Sequence, residues 1–266
     1  MAASGSNRID AILSRSPPGL WPFLAAGDPD LATTEALLTR LANVPIRGVE
    51  LGFPFSDPVA DGPVIQAAFH RALEAGLRVA QIFDMVKRIR GVFPHAILAM
   101  VSASIVYRIG PDDFVARAAE AGFDGLIVPD LSLEEAPALA GAVRSAGLRL
   151  GMLVAPTTPP DRRRKIADAA SGFIYYVSIQ GTTGQRDRLA ADLAAQVQQV
   201  KTETKLPVLV GFGLSRPEHV RDVCQLADGA IVGSAIVQRI DELARSGKSR
   251  SELVESAAKF IESLVT

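Results

Sequence analysis

The stretch GLIVPDLSLEEAPALAGAVRSAGLRLGMLV, residues 125–154, reads as strand, helix, strand. Its two ends, 125–128 and 149–154, are short and almost wholly apolar, which is the pattern of strands buried on both faces of a parallel sheet. Between them Ser132 precedes Glu134 and Glu135 as a helix start would. Leu139 and Val143 lie four apart on one face, and Gly147 ends the segment as a C-terminal glycine does.

The same unit recurs in both directions. Further strands are predicted at 20–25, 48–52, 97–101, 173–178, 208–212 and 229–232, which makes eight. Capped amphipathic segments alternate with them. Asp30 and Thr33 precede Leu37, Leu38 and Leu41, and Pro159 and Pro160 precede Ile166. Helical patterns over 188–200 and 217–226 follow, and a terminal helix over 249–264 carries Leu253, Ala257, Phe260, Ile261 and Leu264 as its stripe. Eight such units predict a closed (β/α)8 TIM barrel, one domain over 1–266, whereas an open doubly wound sheet needs only five or six strands. Strands two and three are about 45 residues apart, with two helical patterns, 64–73 and 79–90, so an additional helix is expected there. An extra N-terminal helix near 9–14 precedes the first strand.

Bulk properties narrow the function. Of 266 residues, 48% are hydrophobic and 21% charged, the balance of a soluble globular chain. The 28 basic and 29 acidic residues nearly cancel, which leaves no electrostatic footprint for nucleic acid or an anionic membrane. No apolar run reaches the roughly 20 residues of a bilayer span. The single cysteine, Cys224, excludes an internal disulfide framework and fits a reducing compartment, and the polar residues 1–7 lack the apolar core of a signal peptide. A cytoplasmic protein is expected.

In such a barrel the chemistry lies at the C-terminal ends of the strands. After strand two the chain reads VELGFPFSDPVADGP, residues 49–63. Glu50 stands between Val49 and Leu51, where burial would raise its pKa and suit it to acid–base work; a packing ion pair with an arginine is the other reading. Asp61, just before Gly62 and Pro63, is either a second functional acid or only a helix cap. Asp57, between Ser56 and Pro58, reads as a turn or capping residue. A second constellation is glycine-rich: Gly181-Thr182-Thr183-Gly184 after strand six, Gly211-Phe212-Gly213 after strand seven, and Gly233-Ser234 after strand eight, opening a helix. Backbone N–H groups and a helix N-terminus there suit a phosphate. Tyr175 and Tyr176 must face opposite sides of strand six. Phe23, Leu98, Met100 and Phe212 could wall an apolar pocket or simply fill the core. His70, His95 and His219 are isolated, without metal-ligand spacing, so no metal is expected.

Taken together, AGDPD at 26–30, ELGFPFSDP at 50–58 with ADGPVIQ at 60–66, GLIVPDL at 125–131, IYYVS at 174–178, VGFG at 210–213 and VGSAIV at 232–237 resemble the alpha chain of tryptophan synthase. The resemblance covers nearly the whole chain. It implies a lyase that cleaves indole-3-glycerol phosphate to indole and glyceraldehyde 3-phosphate in tryptophan biosynthesis. Glu50 then matches the glutamate that protonates indole C3 and handles the glycerol hydroxyl proton. Asp61 matches the aspartate that accepts the indole N–H. Phe23 and Tyr175 match positions lining the indole site, with Phe212 adjoining it and Met100 expected to help wall it. Thr183 matches the sixth-loop threonine, and Gly184, Gly213, Gly233 and Ser234 the phosphate donors.

The resemblance implies no cofactor on this chain, with pyridoxal phosphate only on a partner beta chain in an alpha2beta2 heterotetramer. Ser102 and Ser104 replace a family tyrosine and asparagine that wall the indole pocket and help form the beta-chain contact. Ile179-Gln180 replace a commonly basic or polar pair, and Ser132 replaces a common proline. The alternative function is a non-catalytic barrel subunit that mainly activates the beta chain, against which the presence of both Glu50 and Asp61 argues. Other phosphate-binding barrel enzymes would need a catalytic lysine or a different acid pair, and no lysine lies at a predicted strand end.

Overall fold

The computed structural model describes residues 7–58, 61–177, 186–211 and 213–265. Eight parallel strands follow one another around a closed barrel: β1 (Leu20–Ala25), β2 (Gly48–Gly52), β3 (Ala96–Met100), β4 (Gly125–Ile127), β5 (Arg149–Val154), β6 (Ile174–Val177), β7 (Val208–Gly211) and β8 (Gly229–Val232). β8 closes on β1 with Leu20 opposite Ala230. Around them lie α1 (Arg8–Arg15), α2 (Leu31–Leu41), α3 (Pro63–Glu74), α4 (Val79–Ile89), α5 (Ala103–Ile109) and α6 (Pro111–Ala121). The second half of the chain adds α7 (Ala136–Ser145), α8 (Pro160–Ala169), α9 (Arg186–Glu203), α10 (Pro217–Leu226), α11 (Ser234–Arg245) and α12 (Arg250–Leu264). Among the described residues no helix is long and apolar enough to cross a membrane.

The continuous apolarity of the strands has its reason in two separate cores. Outward residues such as Leu24, Val49, Leu51, Ile97, Leu126, Tyr176 and Val210 pack beneath the helices. Inward residues Trp21, Leu98, Ile127, Phe173, Tyr175, Leu209 and Ile231 fill the barrel, joined from below by Ile9 of α1. Interior space is shared between neighbours: a Cβ on Gly48 would overlap the Trp21 ring, so the strand next to the tryptophan carries no side chain there.

Polar staples fix the floor. The Asn7 side chain caps α1 by accepting from the Ile9 N–H at 2.9 Å, and its amide donates to the Asp124 carbonyl at 2.8 Å. The Asp124 carboxylate accepts from the Ile97 N–H at 2.8 Å, from Arg8 at 3.0 Å and from Arg90 at 3.3 Å.

Three local expectations change. β3 is shifted one residue back from 97–101, and β6 begins at Ile174 rather than 173, with Ser178 outside the described residues. The helix expected from Ser132 starts at Ala136: the Ser132 hydroxyl donates to Glu135 at 2.6 Å and accepts the Glu135 N–H at 3.2 Å, closing a separate turn first. The interval between β3 and β4 holds two helices, α5 and α6. They hinge at Gly110, whose φ of 98° excludes ordinary side chains.

Candidate active site

Val49 and Leu51 pack outward, so the two-residue period of β2 turns Glu50 into the barrel. Its neighbours in register are Phe23 and Leu98, both apolar. It is 0% exposed, and neither carboxylate oxygen has a hydrogen-bond partner among the described residues. Among the described residues no arginine reaches it, so the structure shows no ion pair there. Burial alone, with nothing opposing it, pushes its pKa well above the usual carboxylate range and favours the protonated form.

Asp61 is not a helix cap. The cap of α3 is Gly62, without a side-chain hydrogen bond, and Pro63 at the first turn has no N–H to offer. No described residue hydrogen-bonds the Asp61 carboxylate. Burial, and then the charge of Asp130 beyond β4, push its pKa up to about 6. Asp57 is exposed on the same loop and caps no described backbone group.

Tyr175, four strands around from Glu50, points inward and is 3% exposed. Its pKa is pushed far up by burial, then by the charges of Glu50 and Asp61, so all three groups share one space. Gly211 on the next strand makes room: a Cβ there would overlap the Tyr175 hydroxyl. Tyr176 faces the helices and donates to Gln196 Oε1 at 2.6 Å. Phe23 is inward and packs its ring 6.5 Å from that of Phe69 on α3. Met100, half-buried at the top of β3, lines a cleft of about 280 Å³ with Asp61, Pro129, Leu153 and Val177. Leu98, deeper and 0% exposed, belongs to the core.

Pro129, Leu153, Val177 and Asp130 were not singled out from sequence. Their positions at strand ends were a usable signal, masked for the apolar three by their resemblance to core.

β7 and β8 pair through Leu209–Gly229 and Val210–Ala230, so their following loops lie side by side. Gly213 is exposed with φ +73°, a conformation that strains any other residue. Gly233 caps α11, and exposed Ser234 opens it, leaving first-turn N–H groups and the positive end of the helix dipole at the mouth. Thr183, Gly184 and Phe212 lie outside the described residues. β1 alone separates β8 from β2, and its Phe23 would contact a Cβ on Gly233 at 3.5 Å and one on Gly52 at 2.5 Å. Exposed glycine-loop and helix-start backbone, an apolar wall and a buried acid therefore follow one another from β8 to β2. Among the described residues, no group of three or more His, Cys, Asp or Glu could hold a metal ion.

The comparisons with known proteins give the chain its family. The family model described as tryptophan synthase alpha chain matches residues 10–265. The tryptophan synthase alpha chain of Rhodopirellula baltica is 42% identical over 255 residues, 94% of this chain and 92% of that one. Among solved structures, tryptophan synthase subunit alpha of Legionella pneumophila superposes with a TM-score of 0.88 at 34% identity, covering 98% of this chain and 97% of the other. A chain of the Pyrococcus furiosus tryptophan synthase complex superposes at 0.83 with 35% identity, covering 93% and 98%. By the family model that spans it, the relatives it matches over nearly its whole length and the barrel it shares with solved structures, the chain belongs to the tryptophan synthase alpha chain family.

Proposed function

We propose that this lyase of tryptophan biosynthesis cleaves indole-3-glycerol phosphate with Glu50 as the proton-transfer group and Asp61 as the partner of the ring nitrogen. The observation that carries the reading is Glu50 itself, a fully buried carboxyl with no described partner on the inner face of β2. Such a group costs the fold free energy and is maintained for chemistry.

The protons balance on Glu50 alone. The neutral carboxyl gives its proton to indole C3, and Asp61, as carboxylate, stabilises the positive charge that develops at the ring N–H. The Glu50 carboxylate then takes the proton from the hydroxyl on the carbon attached to the ring. That carbon becomes the aldehyde of glyceraldehyde 3-phosphate, the C–C bond breaks, and its electron pair restores the indole. Glu50 ends protonated, as it began. Gly213, Gly233 and Ser234, with Gly184, hold the phosphate. Phe23, Met100, Tyr175 and Phe212 hold the ring, and Thr183 engages Asp61.

The same reading takes the chain as one cytoplasmic barrel domain that docks a beta chain carrying pyridoxal phosphate, in an alpha2beta2 assembly. The similarity to a chain from the Pyrococcus furiosus complex supports a partner, and Tyr107, 43% exposed on α5, offers apolar surface beside Ser104. The test is Glu50→Gln. Indole release should fall about 1,000-fold, with glyceraldehyde 3-phosphate still bound at wild-type affinity. Full activity in that variant overturns the assignment.

A further inference from the structure

An aspartate immediately before a helix normally spends its carboxylate on the first N–H groups of that helix. At α3 this does not happen, and another residue does the fixing. Gln66, one turn into α3, reaches back over the loop: its Nε2 donates to the Asp61 carbonyl at 2.8 Å and to the Pro58 carbonyl at 3.4 Å. The Asp61 N–H donates to the same Pro58 carbonyl at 3.0 Å, so Pro58 and Asp61 meet under one side-chain amide. The Gln66 N–H is itself engaged in α3, donating to the Gly62 carbonyl at 3.0 Å, so the strap is anchored on a regular helix.

That helix is fixed to the barrel. Arg71, further along α3, donates to both carboxylate oxygens of buried Asp28 beyond β1, at 2.8 and 2.9 Å, and lies 3.4 Å from Asp241 of α11. Gln66 is exposed and contributes nothing to the core.

We propose that Gln66 is a positioning residue for the lyase reaction: by holding the backbone of Asp61 it fixes that carboxylate toward the substrate ring while leaving both of its oxygens unspent. This rests on the functional reading above, and wild-type cleavage is the control that separates the two. If the wild-type chain releases no indole from indole-3-glycerol phosphate, the functional reading fails; Gln66 is judged only against an active wild type.

A loosened loop would misplace Asp61 and also admit water to it. The charged and titratable groups around Asp61 are Asp57 on its own loop, Asp130 beyond β4 and Tyr175 of β6, which Glu50 of β2 also influences. Burial is the main cause that raises Asp61, so better solvation lowers its pKa from about 6 toward the ordinary aspartate value.

The experiment compares Gln66→Met, which keeps length and removes the donor, with Gln66→Lys, which keeps a donor. Each is read for kcat, KM, the pH profile of kcat/KM and Tm. In Gln66→Met kcat should fall about 10-fold, since displacements of an ångström cost that much or more. KM should change less than about 2-fold, because phosphate and ring contacts supply ground-state binding. The acid limb of the profile should move to lower pH, Tm should stay at the wild-type value, and Gln66→Lys should recover part of kcat. Unchanged kcat overturns the proposal. So does a fall in kcat with Tm falling in step and the acid limb unmoved, which is the behaviour of a merely structural residue.

Discussion

Asp124 and Glu50 are carboxylates taken out of water at opposite ends of one barrel, and they are treated in opposite ways. Asp124, at the floor, is 3% exposed and accepts from a backbone N–H and two arginines, which oppose the upward push of burial on its pKa without cancelling it. Glu50, toward the mouth, is 0% exposed and is offset by no described residue. The floor uses buried charge to join α1, the end of α4 and the start of β4. The mouth leaves its acids without a described partner, which is what the proposed substrate role requires. Burial alone therefore does not distinguish a functional acid from a structural one; the partner count does.

The largest effect that could break this contrast is a crossover of activity and stability. Glu50→Gln should lose about 1,000-fold in cleavage and yet melt higher than the wild type. Between the ordinary carboxylate pKa and the raised folded value, the unfolded chain releases a proton that the folded chain keeps. Stability therefore falls as pH rises through that window, and glutamine, which does not titrate, escapes the loss. A lower Tm in Glu50→Gln at pH 7 would show that the acid has a structural partner after all.

The mirror image is Asp124→Asn. It leaves Arg90 half-buried without its carboxylate, and should lower stability by about 3 kcal/mol in a denaturant titration, with kcat within a factor of two at a temperature where it is folded. A large kcat defect in the folded variant would mean that floor and mouth are coupled.

Next in size is pH. Asp61 must be ionised to receive the ring N–H, so kcat/KM should rise with pH through about 6. Asp61→Asn should flatten that limb and lose about 100-fold in rate. A limb that survives in Asp61→Asn belongs to another group.

The smallest effect concerns the floor alone. In Gly48→Ala the added Cβ meets the Trp21 ring, which must shift, at a cost of about 1–3 kcal/mol. Thermal unfolding should show the loss while KM is kept, because the inner aromatic layer lies below the cleft.

The fold was legible because short apolar runs, alternating with capped amphipathic segments, have few other solutions. Even α3 and α4 were visible as two patterns in one long interval. α5 and α6 were not anticipated: with seven residues α5 carries almost no periodicity, and it is fixed by the Asp130 carboxylate, which accepts from the Ser102 hydroxyl and the Ala103 N–H across two strand ends. Of the site, the glycine loops and Glu50 could be named from position, since glycine conformation and an acid within an apolar strand are local facts.

Sequence by itself determined the barrel, the order of its units and the identities of the two acids. Only the tertiary structure decided what those acids are. An aspartate before Gly-Pro is a cap or a free carboxylate depending on whether another group holds the loop, and here Gln66 does. A glutamate in a strand is an ion pair or a raised acid depending on whether an arginine on a distant strand reaches it, and no described arginine does. Both answers depend on neighbours brought together by closure of the barrel, which no local pattern encodes.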